Sequence, residues 1–415
     1  MTMLQASFSV DITPNFPVEL GGYKETRKNV TEVLDRIEVN CLILKKDSEF
    51  LVIMSFDLLY VGLELRSKLE EALLQFGVES KNLFLCASHT HHSPMVDPSK
   101  PLLGNIDRNY LDWLISKVIW EFRSTLRSEF LPFVAELGYG NSKLGIGRRA
   151  QRVKVARRGL IFFGGFVMKP NPAYEIDRTL RRLSLKTPET GETLLELWSF
   201  GVHATARKRG RYISADFPGR VRANIRKEAQ SNIPVLFLQG FSADVRPNSS
   251  LNHSIVSWVK AIINGGSFQE FSDREYCSWG DELSAELLSI ETVPIPNFSY
   301  RAFEVHRIPI NSNLFIQDVS ETGQFFIHIV FFSFFAFVGV PAEVASAYAI
   351  KKRGGGFNAR NLWPSGCIDH VIAYVPTSAM ITEGGYEADG FRKYFGCGPV
   401  QVNIEAELNL IFENI

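Results

Sequence analysis

Between Glu38 and Ala87 the period of the apolar positions changes repeatedly, and each change predicts an element. Glu38–Lys45 (EVNCLILK) and Phe50–Phe56 (FLVIMSF) read as two strands of a β-hairpin turning around Lys46-Asp47-Ser48. Leu63 to Gly77 has apolar residues at helical spacing and a glycine to end it. Asn82–Ala87 (NLFLCA) is a short, continuous apolar run, the mark of a buried strand, and the polar stretch Ser88–Ser93 follows at once. Tyr110 to Phe130 reads as a long amphipathic helix. Strand, helix, strand and polar loop is the order in which α/β proteins present ligand-binding residues beyond the carboxyl ends of strands.

The pattern recurs downstream. Leu195–Val202 predicts a strand that ends at His203, Gly219–Ala229 a helix, and Val235–Gly240 a strand that runs into Phe241-Ser242-Ala243-Asp244. A further helix is expected over roughly Asp281–Glu291, and another from Val344 to about Arg353. Phe325–Val340 (FFIHIVFFSFFAFVGV) is strongly apolar but spans only about 16 residues, short of the roughly 20 that a membrane-crossing helix needs. It carries His328 and Ser333 and is rich in aromatic and β-branched residues, so two tightly joined buried strands are expected, with no stable membrane insertion. There is no repeat, low-complexity tract or linker. The pattern predicts one α/β unit over residues 1–415, mixed sheets flanked by helices, with a small C-terminal lobe from about residue 355 as its one candidate subdivision.

Composition narrows the partners. A 415-residue chain with 45% hydrophobic and 22% charged residues is globular rather than disordered. Its 45 basic and 45 acidic residues cancel, which leaves no global field to attract nucleic acid or a membrane surface. Five scattered cysteines suit a reduced compartment better than a disulfide framework. The N-terminal stretch lacks the basic and apolar regions of a signal peptide, so a cytoplasmic location is expected.

Candidate chemistry gathers at the strand ends. Of eight histidines, His89, His91 and His92 fall in Ser88-His89-Thr90-His91-His92-Ser93, directly after a buried strand, where a loop can aim two imidazoles at one metal. His203 occupies the same topological place after another strand and is a natural third nitrogen ligand. Glu343 follows a very apolar run, where a carboxylate must be paired, bound to a metal or held at a helix N-terminus. Asp57 and Asp244 also close apolar strands, either to orient a ligand histidine or to serve a turn. Basic residues crowd beside these loops: Arg148, Arg149, Arg152, Arg157 and Arg158, then Arg207, Lys208, Arg209 and Arg211, then Arg246. In a neutral chain, such clustering points to a local anion site, for which arginine is well suited.

Taken in order, these segments resemble the neutral/alkaline non-lysosomal ceramidases, a family of zinc-dependent amidases. Ser88-His89-Thr90-His91 is similar to the family's His-Thr-His loop, Gly145-Ile146-Gly147-Arg148 to its Asn-x-Asn-Arg stretch, and Ser199–His203 to the segment with its second zinc histidine. Ile213–Gly219 resembles the Ser-x-Asp segment, Pro341-Ala342-Glu343 the Pro-Gly-Glu, Ile372–Thr377 the strand with the tyrosine ligand, and Tyr386-Glu387 with Phe395–Pro399 the motifs that follow. The resemblance implies a single large ceramidase-like catalytic domain that holds Zn2+ through His89, His203, Glu343 and Tyr374. It assigns His91 and Arg148 to the substrate and leaves His92 a structural role.

Two departures mark the chain as divergent. Arg246 stands where the family has its catalytic serine, and Ser242, four residues earlier, is not that serine's counterpart. The chain also ends short of a full ceramidase, so the C-terminal sandwich domain is expected to be lacking. A guanidinium is neither nucleophile nor base. The implied chemistry is therefore attack by metal-activated water, with His91 moving the proton and Tyr374 or Arg148 stabilising the oxyanion. The expected activity is zinc-dependent N-deacylation or deacetylation of a small-molecule N-acyl substrate, polar or anionic, such as an N-acetyl sugar or nucleotide sugar. Arg148, Arg207 and Arg246 would bind it. A lipid amidase and a non-catalytic zinc- or ligand-binding protein are the alternatives, and the oligomeric state stays open.

Overall fold

Three sheets each turn one face into a common apolar core, and the other face of each is covered by helices or by other parts of the chain. The computed structural model describes residues 2–24, 28–155, 161–249, 268–317, 324–332, 335–350 and 361–413. In the first sheet the strand order is Leu4–Asp11, Glu38–Lys46, Glu49–Phe56 and Leu83–Ala87, the expected hairpin plus a parallel edge. In the second, Val235–Gln239 runs parallel to Thr193–Phe200, followed by Thr179–Lys186, Val134–Asn141 and Val293–Pro294. In the third, Glu304–Asn311, Gln324–Phe332 and Phe335–Gly339 are antiparallel, and Leu362–Ser365 adds a parallel strand.

The reason these strands read as unbroken apolar runs is burial on both faces. Along Glu38–Lys46, Leu42 and Leu44 enter the shared core, while Val39, Cys41 and Ile43 meet the helices Leu63–Leu74 and Arg108–Leu126. Along Thr193–Phe200, Leu195 and Leu197 point inward, while Trp198 and Phe200 meet the helices Asp216–Ala229 and Asp273–Leu288. The apolar Phe325–Val340 stretch forms two antiparallel strands, as expected, with Phe332 opposite Phe335. Ser333 lies outside the described residues. Within that stretch His328 is buried, with Nε2 3.1 Å from Asp369 Oδ2. Among the described residues, no helix is long and apolar enough to cross a membrane.

Several boundaries differ from expectation. The two middle helices begin earlier, at Asp216 and Asp273, and the second is started by a Ser272–Glu275 capping box. Glu343 does not open a helix: Glu343–Val344 pairs in parallel with Tyr374–Val375, and the helix that follows covers Ala347–Ile350. A two-residue ladder has no period to read, whereas Val344 onward has helical spacing. The expected lobe boundary near residue 355 and the helix end at Arg353 lie outside the described residues. Beyond them, Trp363 belongs to the shared core, and Ile404, Leu408 and Phe412 pack behind the third sheet.

Asp57 is structural. Its carboxylate accepts the Glu38 N–H at 2.8 Å and pairs with the buried Arg222 at 2.8 Å, which ties the hairpin to the Asp216–Ala229 helix. Removing one partner from a buried ion pair leaves the other charge uncompensated. Asp57→Ala is expected to cost about 3 kcal/mol of unfolding free energy, read by urea denaturation.

Candidate functional site

The parallel strands end on one side of the molecule, and the polar residues just past them converge there. After Leu83–Ala87 the chain bends at His89, whose φ of 64° lies in the left-handed region, and its N–H bonds to Leu58 O at 3.0 Å. Non-glycine residues take that conformation at a cost and concentrate at functional sites. His203 follows Thr193–Phe200, and Glu343 follows Phe335–Gly339.

These groups meet. One nitrogen from each of His89, His91 and His203 lies within 4.8 Å of the others. Glu343 Oε2 is 3.4 Å from His89 Nε2 and 3.2 Å from His203 Nε2. His89 Nδ1 is 3.1 Å from Leu59 O, and His203 Nδ1 is 2.7 Å from Ser242 O. A carbonyl only accepts, so each Nδ1 donates, and each Nε2 is the ring nitrogen left toward Glu343. Burial, and then Arg148, pull His203 down to about 4, so it is neutral near pH 7.

Two imidazole nitrogens and a carboxylate oxygen therefore face one another. His89 Nε2, both nitrogens of His91 and Glu343 Oε2 have no hydrogen-bond partner among the described residues. Arg148 Nη1 reaches one nitrogen of the group, His203 Nε2, at 3.3 Å. Buried acceptors without donors are costly. Neutral imidazoles fixed by backbone carbonyls, with a carboxylate between them, are a donor set that suits a divalent cation such as zinc.

A cavity of about 220 Å³ opens over this group and is lined by His91, His203, Glu343, Tyr374, Arg148 and Arg246, among others. Tyr374 hydrogen-bonds Glu343, and burial, then the Glu343 charge, push its hydroxyl well above its ordinary value. Arg148 is held by Glu387, whose Oε1 accepts from Nε at 2.8 Å, and Glu387 Oε2 takes Arg149 Nη1 at 2.6 Å. Arg207 lines a neighbouring cavity, but its guanidinium contacts Asp35 and Asp273, each at 3.3 Å. Arg152, Lys208 and Arg211 are exposed, and Arg157 and Arg158 lie outside the described residues. The crowded basic stretch is thus divided, with Arg148, Arg209 and Arg246 on the cavity walls.

His92 stands apart from the cavity. Its ring stacks on Tyr212 at 4.9 Å, and burial, then Arg207, pull it down to about 3. Asp244 is buried at the second sheet and accepts Ser346 N–H at 2.7 Å, a turn role rather than contact with a ligand histidine. Ser242 contributes its carbonyl to His203, and its Oγ accepts from Gln239 Nε2 at 2.6 Å.

The whole chain superposes on 74% of the neutral ceramidase from Pseudomonas aeruginosa, with a TM-score of 0.72 and 14% sequence identity. The chain has the neutral-ceramidase fold. A second ceramidase structure, complexed with C2, matches the ceramidase-like domain with the same coverage, TM-score and identity. No protein-family model and no curated protein matches the sequence. At 14% identity the likeness is one of architecture, and the site's chemistry rests on the geometry above.

The structure also brings in residues that the sequence did not single out. Tyr60 donates its hydroxyl to Glu343 Oε1 at 2.5 Å, and Tyr23 packs its ring 4.9 Å from His91. Gly22 has φ of 104°, and a Cβ there would meet His91 Nδ1 at 2.7 Å. The paired glycines Gly21-Gly22 before an aromatic residue were the available signal for a close backbone approach. Gly22→Ala is expected to displace the His91 ring and lower turnover at least about tenfold through a misplacement of this kind, and to lower the urea midpoint as well, because alanine is strained at that φ. Unchanged kinetics would show that His91 has room to move.

Proposed function

We propose that this chain is a zinc-dependent amide hydrolase that removes an acyl group from a polar, small-molecule N-acyl substrate. The observation that carries this reading is the set of imidazole nitrogens and the Glu343 carboxylate oxygen gathered at one point of the cavity. His89, His203 and Glu343 are the proposed ligands, with Tyr374 beside them. A bound zinc supplies a Lewis acid that acidifies a water and polarises an amide carbonyl.

The chain's own residues do the rest. His91 lines the cavity with neither ring nitrogen partnered among the described residues, which puts it within reach of the proton of the attacking water. It then delivers that proton to the departing nitrogen. Arg148, whose Nη2 has no partner among the described residues, donates to the developing oxyanion, while Tyr374 keeps its hydroxyl proton and steadies Glu343 with it. Glu387 holds Arg148 in position for this. Arg246, in place of a serine, has no part in nucleophilic attack.

The cavity favours a polar substrate over ceramide. Its volume of about 220 Å³ is compact beside the roughly 300–1,000 Å³ of common ligand pockets. Arg148, Arg209 and Arg246 stand on its wall among Leu59, Leu103, Met168 and Phe395, and these guanidinium groups supply the polar contacts that a polar or anionic substrate would use.

His89→Ala is expected to abolish stoichiometric zinc, measured by elemental analysis, together with hydrolysis. His91→Ala should retain zinc but lose roughly 10²- to 10⁴-fold in kcat/KM. Loss of zinc in both variants would instead make His91 a ligand. The zinc-loaded protein, screened against N-acetyl sugars, nucleotide sugars and ceramide, is expected to release acid from a polar substrate. Release from ceramide alone would favour a lipid amidase. A protein without bound zinc and without any turnover would be a ligand-binding relative of the enzymes.

A further inference from the structure

Beside the site lies a second cavity of about 300 Å³, and the two share Tyr23, Thr205, Arg209 and Arg246 as lining. They are adjoining chambers of one cleft. Arg246 sits at the junction on a short strand, Val245–Pro247, paired antiparallel with Gly145–Val155, so its backbone is fixed by the sheet.

The charges around the second chamber are not equivalent. Arg207 is occupied by Asp35 and Asp273 and stacks over Tyr276 with 3.9 Å to the ring centroid. Arg209 approaches Glu270 at 4.0 Å, both half-exposed, a spacing at which water competes well. Arg246 has no carboxylate partner among the described residues; its guanidinium lies 4.8 Å from the Phe268 ring centroid. Burial, with Arg148 and Arg209 alongside, pulls it below its ordinary value despite the opposing pull of Tyr23 and Asp216. Thr205 lines both chambers, and its Oγ1 is buried without a hydrogen-bond partner among the described residues. An unpaired guanidinium and an unpartnered hydroxyl at one junction form a binding site for an oxyanion.

We propose that this second chamber is an anion subsite, in which Arg246 and Thr205, with Arg209 behind, bind a phosphate or carboxylate on the substrate. This extends the amide-hydrolase reading: with the amide over the histidines, the anionic group belongs to the same molecule, one chamber away.

The test is calorimetric titration of the full-length protein as purified, with inorganic phosphate and, separately, with acetate. Saturable binding of at least one is expected; phosphate alone or acetate alone identifies which anion the subsite takes. Arg246→Gln should weaken that binding about tenfold or more, and Thr205→Val by roughly threefold to tenfold. Thr205→Val removes an unpartnered hydroxyl without changing shape, so it decides the matter if Arg246→Gln does not fold. Binding should persist in His89→Ala; loss there would place the anion at the histidines and overturn the proposal. So would the absence of binding by either anion, or unchanged affinity in folded variants. Anion binding that follows this pattern in a protein that hydrolyses no amide would sink the hydrolase reading and leave the subsite standing.

Discussion

Acceptors aimed at one another repel, and the centre of this molecule is organised around a group of them. Leu59 and Ser242 fix the tautomers of His89 and His203 through their carbonyls, so neither imidazole can turn its N–H toward Glu343. Glu343 in turn is held by Tyr60 and by its ladder with Tyr374. Arg148 reaches His203 Nε2 and Tyr60 reaches Glu343 Oε1, but His89 Nε2, both nitrogens of His91 and Glu343 Oε2 keep no partner among the described residues. That arrangement persists only because three sheets with a common core place their strand ends at fixed positions.

Electrostatics then separate the cleft into parts with different work. Near the histidines, Glu387 gathers Arg148 and Arg149 into a buried network, which orients one guanidinium toward His203 and removes the other from the cavity. Such networks contribute little net stability, but they hold geometry firmly. Farther out, Asp35 and Asp273 neutralise Arg207, so positive charge concentrates at Arg246. A chain with zero net charge thus carries a strongly polarised cleft.

What the sequence made readable follows from this construction. Strands buried on both faces leave continuous apolar runs, so Leu83–Ala87 and Thr193–Phe200 could be placed, and the histidines after them stood out against apolar neighbours. Glu343 stood out for the same reason. Its pairing with Tyr374 did not, because a two-residue ladder between distant segments leaves no periodicity. Tyr60 and Tyr23 were hidden as well: each acts through a residue far along the chain, and aromatic residues in apolar surroundings read as core. The basic stretches showed that charge was concentrated, but which arginines remain unpaired depends on acids such as Asp35 and Glu387, brought in by the fold.

The bond between Tyr60 and Glu343 joins residues 283 positions apart, and Arg148 and Glu387 are separated by 239. Contacts this remote close large loops, so they form late and contribute to a slow folding rate. The cleft therefore exists only when nearly the whole chain has found its place. A cation or substrate that binds there recognises the completed fold and no partial one, and its free energy of binding adds to global stability by mass action. Occupancy of the cleft would then be a measure of how much of the protein in a cell is fully folded.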